Sequence, residues 1–290
     1  IKCDWSSDVC SSDLLMLNNR QIDLKFAQKK TDGDGYLTWD LDFIWSEVVA
    51  GLREAVSRFP DAVSVSVDTW GVDYVPLDAS DHPVTPGRCY RDERTARTHE
   101  AFRARLSDDA AWAATGIAPA AINTANQLFA FLSEEPAAAA RTASVLLLPD
   151  YFTWKLSGVK GWSRSHTSSS GLCTPGVRDF SDDVLGALGI PRDWFGDVTA
   201  ELDAVGACTV DGLSGLTVVR AGAHDTACAT HALLRDVTQE SYFLSCGSWS
   251  VLGVLRDEPL LSARAHEIGL TNEATADGGL RPLFNITGLW

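Results

Sequence analysis

The chain has 290 residues, enough for one large domain or two ordinary ones, and its 45% hydrophobic and 22% charged side chains exclude a disordered or fibrous class. Acidic side chains number 39 against 24 basic ones, and the net charge of −15 opposes non-specific binding to nucleic acid or to a membrane of anionic lipid. Apolar stretches such as Ser144–Leu148 are too short to span a bilayer, and the seven cysteines, odd in number and without CxxC or Cys/His spacing, fit reduced thiols in a cytoplasmic protein with no metal site of their own.

At the start, Asp4–Leu14 (DWSSDVCSSDL) resembles the in-frame translation of a sequencing-adapter oligonucleotide, with no amphipathic period, and residues 1–14 are set apart from the fold. Gln21–Lys29 alternates like an edge strand. Asp32-Gly33-Asp34-Gly35 has the look of a calcium loop, but the twelfth position is Phe43 rather than a bidentate Glu. Leu41, Ile44, Trp45, Val48, Leu52, Val56 and Phe59 recur at helical spacing, and Pro60 ends that helix.

The valine-rich Ala62–Val67 and then Val72–Leu77 read as strands, followed by helices at Arg94–Leu106, Asp109–Thr115, Thr124–Glu134 and Pro136–Ala143. Val145–Leu148 is a short buried strand leading into a helix over Tyr151–Leu156 that Gly158 terminates. Ser163–Gly171 reads as a Ser/Thr loop, and Asp182–Leu188 as a helix capped by Ser181. Strands are expected at Thr217–Ala221, Ser241–Ser245 and Val251–Leu255. Helix and strand mingle throughout, which gives an α/β class. The break in character near Gly215–Ala221 is the expected domain boundary, and the apolar Leu283–Trp290 (LFNITGLW), with no stop signal, predicts that the gene product continues beyond it.

Four constellations carry chemistry. Ser66–Asp73 (SVDTWGVD) delivers Asp68, Thr69 and Trp70 at the carboxyl end of a strand, where α/β sheets meet ligands; it also reads as a hairpin with Trp70 in the core. Tyr90–Thr95 (YRDERT) places Arg91 and Asp92 either on a solvated helix start or on a wall over a cleft. Gly222–Thr226 (GAHDT) puts His224 and Asp225 between a strand and an alanine-rich helix, as a helix cap or as a carboxylate base beside an anion. In Ser245–Ser250 (SCGSWS), Gly247 and Ser248 form a hairpin turn or a phosphate contact. No P-loop, GxGxxG or GxSxG motif occurs.

Taken in order, VDTWGVD, YRDERT, LLLPDYFTWKLSG, GAHDTA, SCGSWS and TNEA with FNITGLW resemble the FGGY carbohydrate kinases, in particular their L-rhamnulose kinase branch, from about Gln21 to Trp290. The resemblance implies an actin-like, ribonuclease H-like fold of two lobes closing over sugar and ATP. It assigns 15–216 to a sugar-binding first lobe lacking its first strand and phosphate loop, and 217–290 to the start of a nucleotide-binding second lobe. It further implies ATP-dependent phosphorylation of L-rhamnulose at the 1-hydroxyl, with Mg²⁺ on the phosphates and Asp225 as the base. Gly71, His224, Thr226 and Asn285 would meet the sugar, and Gly247 and Ser248 the ATP phosphate. Another ketose such as L-fuculose or xylulose, or a non-catalytic sugar-binding protein on the same scaffold, are the competing expectations. The chain by itself is expected to be inactive, because the phosphate loop and adenosine-binding half are missing from it.

Overall fold

Apolar spacing and capping chemistry decide the helices that frame this fold, seen in a computed structural model that describes residues 28–29, 33, 35–231, 242–246 and 249–287. The adapter-like peptide, most of the strand expected at Gln21–Lys29, and both Gly247 and Ser248 lie outside the described residues.

Strand β1 (Gln28–Lys29) pairs with β2 (Thr38–Trp39), and helix α1 spans Leu41–Arg58. Asp40 caps it, its carboxylate accepting from the Phe43 amide at 3.1 Å, while Leu41 and Ile44 are buried beneath. Strand β3 covers only Ser64–Val65 of the expected Ala62–Val67, and β4 (Tyr74–Leu77) and β5 (Gly87–Arg88) follow. Helices α2 (Arg94–Arg105), α3 (Asp108–Thr115), α4 (Thr124–Glu134) and α5 (Pro136–Ala139) stand where helical periodicity predicts them, although α5 is a single turn.

Strand β6 (Ser144–Leu147) pairs antiparallel with β4, and all eight residues of the pair are buried. Because side chains alternate along a strand, Tyr74, Val145 and Leu147 enter one apolar cluster with Leu128, Phe131 and Trp194, while Val75, Leu77 and Leu146 enter another with Trp39, Ile44 and Phe152. The two-stranded ribbon thus separates two cores. Helix α6 (Leu148–Ser157) starts three residues earlier than expected and ends on Gly158, whose φ of 74° closes the last turn.

The Ser/Thr loop expected at Ser163–Gly171 is corrected to strand β7 (Trp162–Ser163) and helix α7 (Arg164–Ser168). Serine normally draws the backbone away from helix by bonding it locally. Here the hydroxyls of Ser168, Ser169 and Ser170 each donate three residues back, to Ser165, His166 and Thr167, and reinforce the turn. Helix α8 (Asp182–Leu188) has Ser181 as its N-cap, as predicted. A short 3₁₀ turn (Arg192–Trp194), β8 (Val198–Thr199), β9 (Asp203–Ala207), β10 (Thr217–Arg220) and α9 (Asp225–His231) come next.

β10 lies between β3, to which it runs parallel, and β9, to which it runs antiparallel. The sheet therefore runs across the expected boundary at 216/217. The remaining strands β11 (Tyr242–Cys246), β12 (Trp249–Val254), β13 (Thr271–Ala274) and β14 (Leu280–Thr287) form an antiparallel sheet in the order β11-β12-β14-β13, with helix α10 (Ala263–Glu267) between β12 and β13 in the chain. β13 docks on α7, its Ala274 amide donating to Ser168 at 2.9 Å. What matters for function is that the parallel neighbours β3 and β10 end side by side, beneath the β13–β14 hairpin.

Candidate active site

The carboxyl ends of β3 and β10 are laced together by their main chains. The Thr69 amide donates to the Ala223 carbonyl at 3.1 Å, and the Asp225 amide donates to the Thr69 carbonyl at 3.0 Å, a parallel bridge between Thr69 and His224. This brings Asp68, Thr69, Trp70 and Gly71 against His224, Asp225 and Thr226. A strand end of an α/β sheet is where ligands bind such folds.

Past Thr69 the chain turns sharply, with the Asp73 amide donating to the Gly71 carbonyl at 3.0 Å. Val72 has a φ of 68°, a region β-branched residues avoid. The surroundings hold it there. The Val72 carbonyl accepts from Thr124 Oγ1 at 2.8 Å and Gln127 Nε2 at 3.0 Å, both fully buried on α4, and Gln127 is itself gripped by Arg94 at 2.5 Å. Asp73 Oδ2 accepts from the indoles of Trp39 and Trp70, each at 2.7 Å, and burial pushes its carboxyl up to about 6 despite those donors. Strain sustained by this many contacts is characteristic of sites whose geometry is prescribed.

Asp225 is the first residue of α9. Its Oδ1 accepts from the Thr226 amide at 2.6 Å and the Thr226 hydroxyl at 3.2 Å, and His224 Nε2 lies 3.3 Å from the same oxygen. All three groups converge on Oδ1, and Oδ2 has no hydrogen-bond partner among the described residues. Burial, then the Asp68 charge, pushes the Asp225 carboxyl up to about 6, with Thr226 and Arg281 pulling the other way. At neutral pH it is ionised and still basic enough to take a proton, the condition for a general base.

His224 is half-buried, and its other nitrogen, Nδ1, is 3.0 Å from Arg281 Nη2, which also donates to Glu273 Oε2 at 2.6 Å. Glu273 sits on β13 and Arg281 on β14. The Gly71 Cα closes the Nε2 side, where a methyl group would come within 3.1 Å of that nitrogen. Gly71 therefore makes room for the imidazole.

Glu201 fastens the loop behind. Its carboxylate accepts from the Ala223 amide at 3.0 Å and from the Ser165 amide and hydroxyl at 2.8 and 2.6 Å. Burial drives its carboxyl up to about 7, against those three donors. His166, wholly buried, stacks edge-on against His224 with ring centroids 5.7 Å apart, and burial pulls its pKa down to about 4.

Not every expected residue arrives here. Asp92 spends its carboxylate on the amides of Leu37 (2.6 Å) and Arg94 (2.8 Å), and Arg91 lies exposed along the Tyr90 ring. Asn285 is exposed four residues beyond Arg281 on β14, about 13 Å further at the rise of a strand. Conversely, Glu201, Glu273, Arg281, Thr124 and Gln127 are site-builders that the sequence did not announce. TNEA and the stretch before FNITGLW marked the region of Glu273 and Arg281, without assigning a role to either.

Among the described residues there is no group of three or more His, Cys, Asp or Glu side chains able to hold a metal, and no helix long and apolar enough to cross a membrane. Asp68 and Asp225 lie close enough for the Asp68 charge to raise the Asp225 pKa. One or two carboxylates suit a magnesium ion that keeps its water and is carried by phosphate oxygens.

Comparison with known proteins gives a consistent answer. The N-terminal domain of the FGGY family of carbohydrate kinases matches residues 13–231. A rhamnulokinase of Mannheimia succiniciproducens is 32% identical over 267 residues, covering 92% of this chain and 54% of its own length. Among solved structures, a xylulose kinase from Lactobacillus acidophilus superposes with a TM-score of 0.78 at 12% identity over 90% of this chain and 53% of its own, and Plasmodium falciparum glycerol kinase, determined with ADP, with 0.76 at 12% identity over 90% and 55%. The chain spans about half the length of the relatives it matches, and its fold is the actin-like, ribonuclease H-like α/β fold of these sugar kinases.

Proposed function

The chain belongs to the FGGY family of carbohydrate kinases, and from that premise we propose that it carries the sugar-binding and proton-accepting part of an ATP-dependent rhamnulokinase. The observation that carries the reading is the convergence on Asp225 Oδ1 of Thr226 and His224, which orients the carboxylate and leaves Oδ2 for a substrate hydroxyl.

In this reading Asp225 Oδ2 accepts the proton of the ketose 1-hydroxyl as its oxygen attacks the γ-phosphorus of ATP; the bond to the β,γ-bridging oxygen breaks and ADP leaves. Phosphoryl transfer asks mainly for alignment and charge neutralisation, so the protein's share is to fix the hydroxyl and hold a base of suitable pKa. Magnesium, when bound with the nucleotide, offsets charge on the phosphate oxygens. Thr226, Gly71 and His224 shape the wall around the hydroxyl, and Trp70 and Asp68 flank it. Asn285, Gly247 and Ser248 are assigned to sugar and phosphate through the family pattern.

L-Rhamnulose as the substrate is supported by the 32% identity to a rhamnulokinase; the 12% likeness to a xylulose kinase speaks for the fold alone. Calorimetry of the 290-residue chain against L-rhamnulose, L-fuculose and xylulose, paired with an ADP-release assay on a chain extended to the length of its relatives, tests the reading. L-Rhamnulose is expected to bind best and to be turned over best. A panel in which xylulose or L-fuculose is preferred reassigns the ketose, and turnover that survives Asp225→Asn unchanged removes the base.

A further inference from the structure

An imidazole set between two carboxylates should be a cation. His224 is in that position, with Asp225 Oδ1 3.3 Å from Nε2 and Glu273 Oε2 3.7 Å from Nδ1. Each acid would stabilise a proton on the nitrogen it faces, and an opposite charge within this range raises a histidine pKa. A third group reverses this. Arg281 on β14 is wholly buried, and its Nη2 stands 3.0 Å from His224 Nδ1 while bonding Glu273 at 2.6 Å. A guanidinium only donates, so Nδ1 must accept, and the single ring proton is on Nε2, toward Asp225.

We infer that Arg281 is a positioning residue of this site: by pairing with Glu273 it offsets that charge, and by donating to Nδ1 it holds His224 as the uncharged Nε2–H tautomer against the Asp225 carboxylate. The inference rests on Asp225 being the base proposed above. It explains why a buried guanidinium is kept here although its Nη1 has no partner among the described residues, a costly arrangement if the arginine served packing alone.

The charged and titratable groups around the ring all bear on this. Asp225 comes from α9 and Glu273 from β13, Arg281 from β14, and the neutral His166 ring from α7, with Asp68 beyond Asp225. Burial, followed by Arg281 and His166, holds the His224 pKa well below its ordinary value. The functional gain falls on Asp225. An imidazolium 3.3 Å from its carboxylate would place a full positive charge beside the base and make it a weaker proton acceptor, whereas a neutral N–H orients the same oxygen and leaves its basicity intact.

Nitrogen-15 NMR of the 290-residue chain labelled at histidine reads the ring directly, with His224 assigned by its loss in His224→Gln. Unprotonated Nδ1 with protonated Nε2 is expected at neutral pH; a doubly protonated ring, or a proton on Nδ1, in the unsubstituted chain overturns the inference. Arg281→Met, folded by circular dichroism, is expected to convert His224 to the imidazolium. In the extended enzyme the same variant should move the acid limb of kcat to lower pH and lower kcat by about 10-fold or more with little change in KM. A folded methionine variant whose ring stays neutral and whose acid limb stays in place also overturns it. The NMR result needs neither sugar nor nucleotide, so it is separable from the kinase reading, which fails instead if Asp225→Asn leaves phosphorylation intact.

Discussion

The two halves of the site are built on opposite principles. The Trp70–Asp73 turn is held by neutral donors, two indoles, a hydroxyl and a carboxamide, and these sustain a backbone conformation that Val72 would not adopt alone. The Gly222–Thr226 segment is held by ionisable groups: Glu201 behind it, and Glu273, Arg281 and His224 in front. One half is fixed mainly by shape, although burial pushes the Asp73 carboxyl that anchors it up to about 6. The other is set by proton positions, and that is the half that must exchange a proton.

That contrast can be broken most severely at Asp225. Asp225→Asn keeps the shape and removes the basicity, and kcat in the extended enzyme should fall by about 10²- to 10⁴-fold with ketose affinity held within a few-fold; equal losses in both would show that the carboxylate serves binding. The wild-type rate should also fall about tenfold per unit below about pH 6, where Asp225 takes up its proton, and be level above it. A flat acid profile would separate the base from this carboxylate.

The shape-fixed half should respond in stability. Gln127→Leu strands the buried Arg94 donor and half-frees the Val72 carbonyl, a cost of about 1–3 kcal/mol in thermal or urea unfolding, with no movement of the acid limb. Glu201 supplies the reverse signature. Its folded-state pKa of about 7 lies above that of an exposed glutamate, so the stability it contributes is present at low pH and is lost as pH rises through about 7. The melting temperature should therefore decline between about pH 5 and pH 8, and Glu201→Gln should flatten the decline; an unchanged slope would place the titrating group elsewhere. Gly71→Ala is the mildest change. Its methyl meets the His224 ring at 3.1 Å, and a shift of a few tenths of an ångström should weaken ketose binding only a few-fold by calorimetry.

Much of this frame could be read from sequence, for reasons visible in particular residues. The α1 stripe, the Ser181 cap and the Gly158 stop depend on neighbours three or four positions away, and sequence displays that range well. His224 and Asp225 stood out as a pair set between a strand and an alanine-rich helix, and Gly71 through the family pattern. α7 was hidden because its serines satisfy their own helix instead of breaking it. Glu201 and Arg281 were hidden for a different reason: Glu201 lies in a bend just before β9 and Arg281 within β14, and they gain meaning only from partners 22 and 57 positions away, in Ala223 and His224 respectively. The pairing of β10 with β3, 150 residues earlier in the chain, likewise lies beyond the reach of any local pattern.

The main-chain bridge from Thr69 to His224 has a temporal consequence. A loop of more than 150 residues must close before the base meets its turn, a slow, entropically expensive event placed late in assembly. Acquisition of ketose binding during refolding should accordingly lag the appearance of helix, so that the ligand reports the last contact to form.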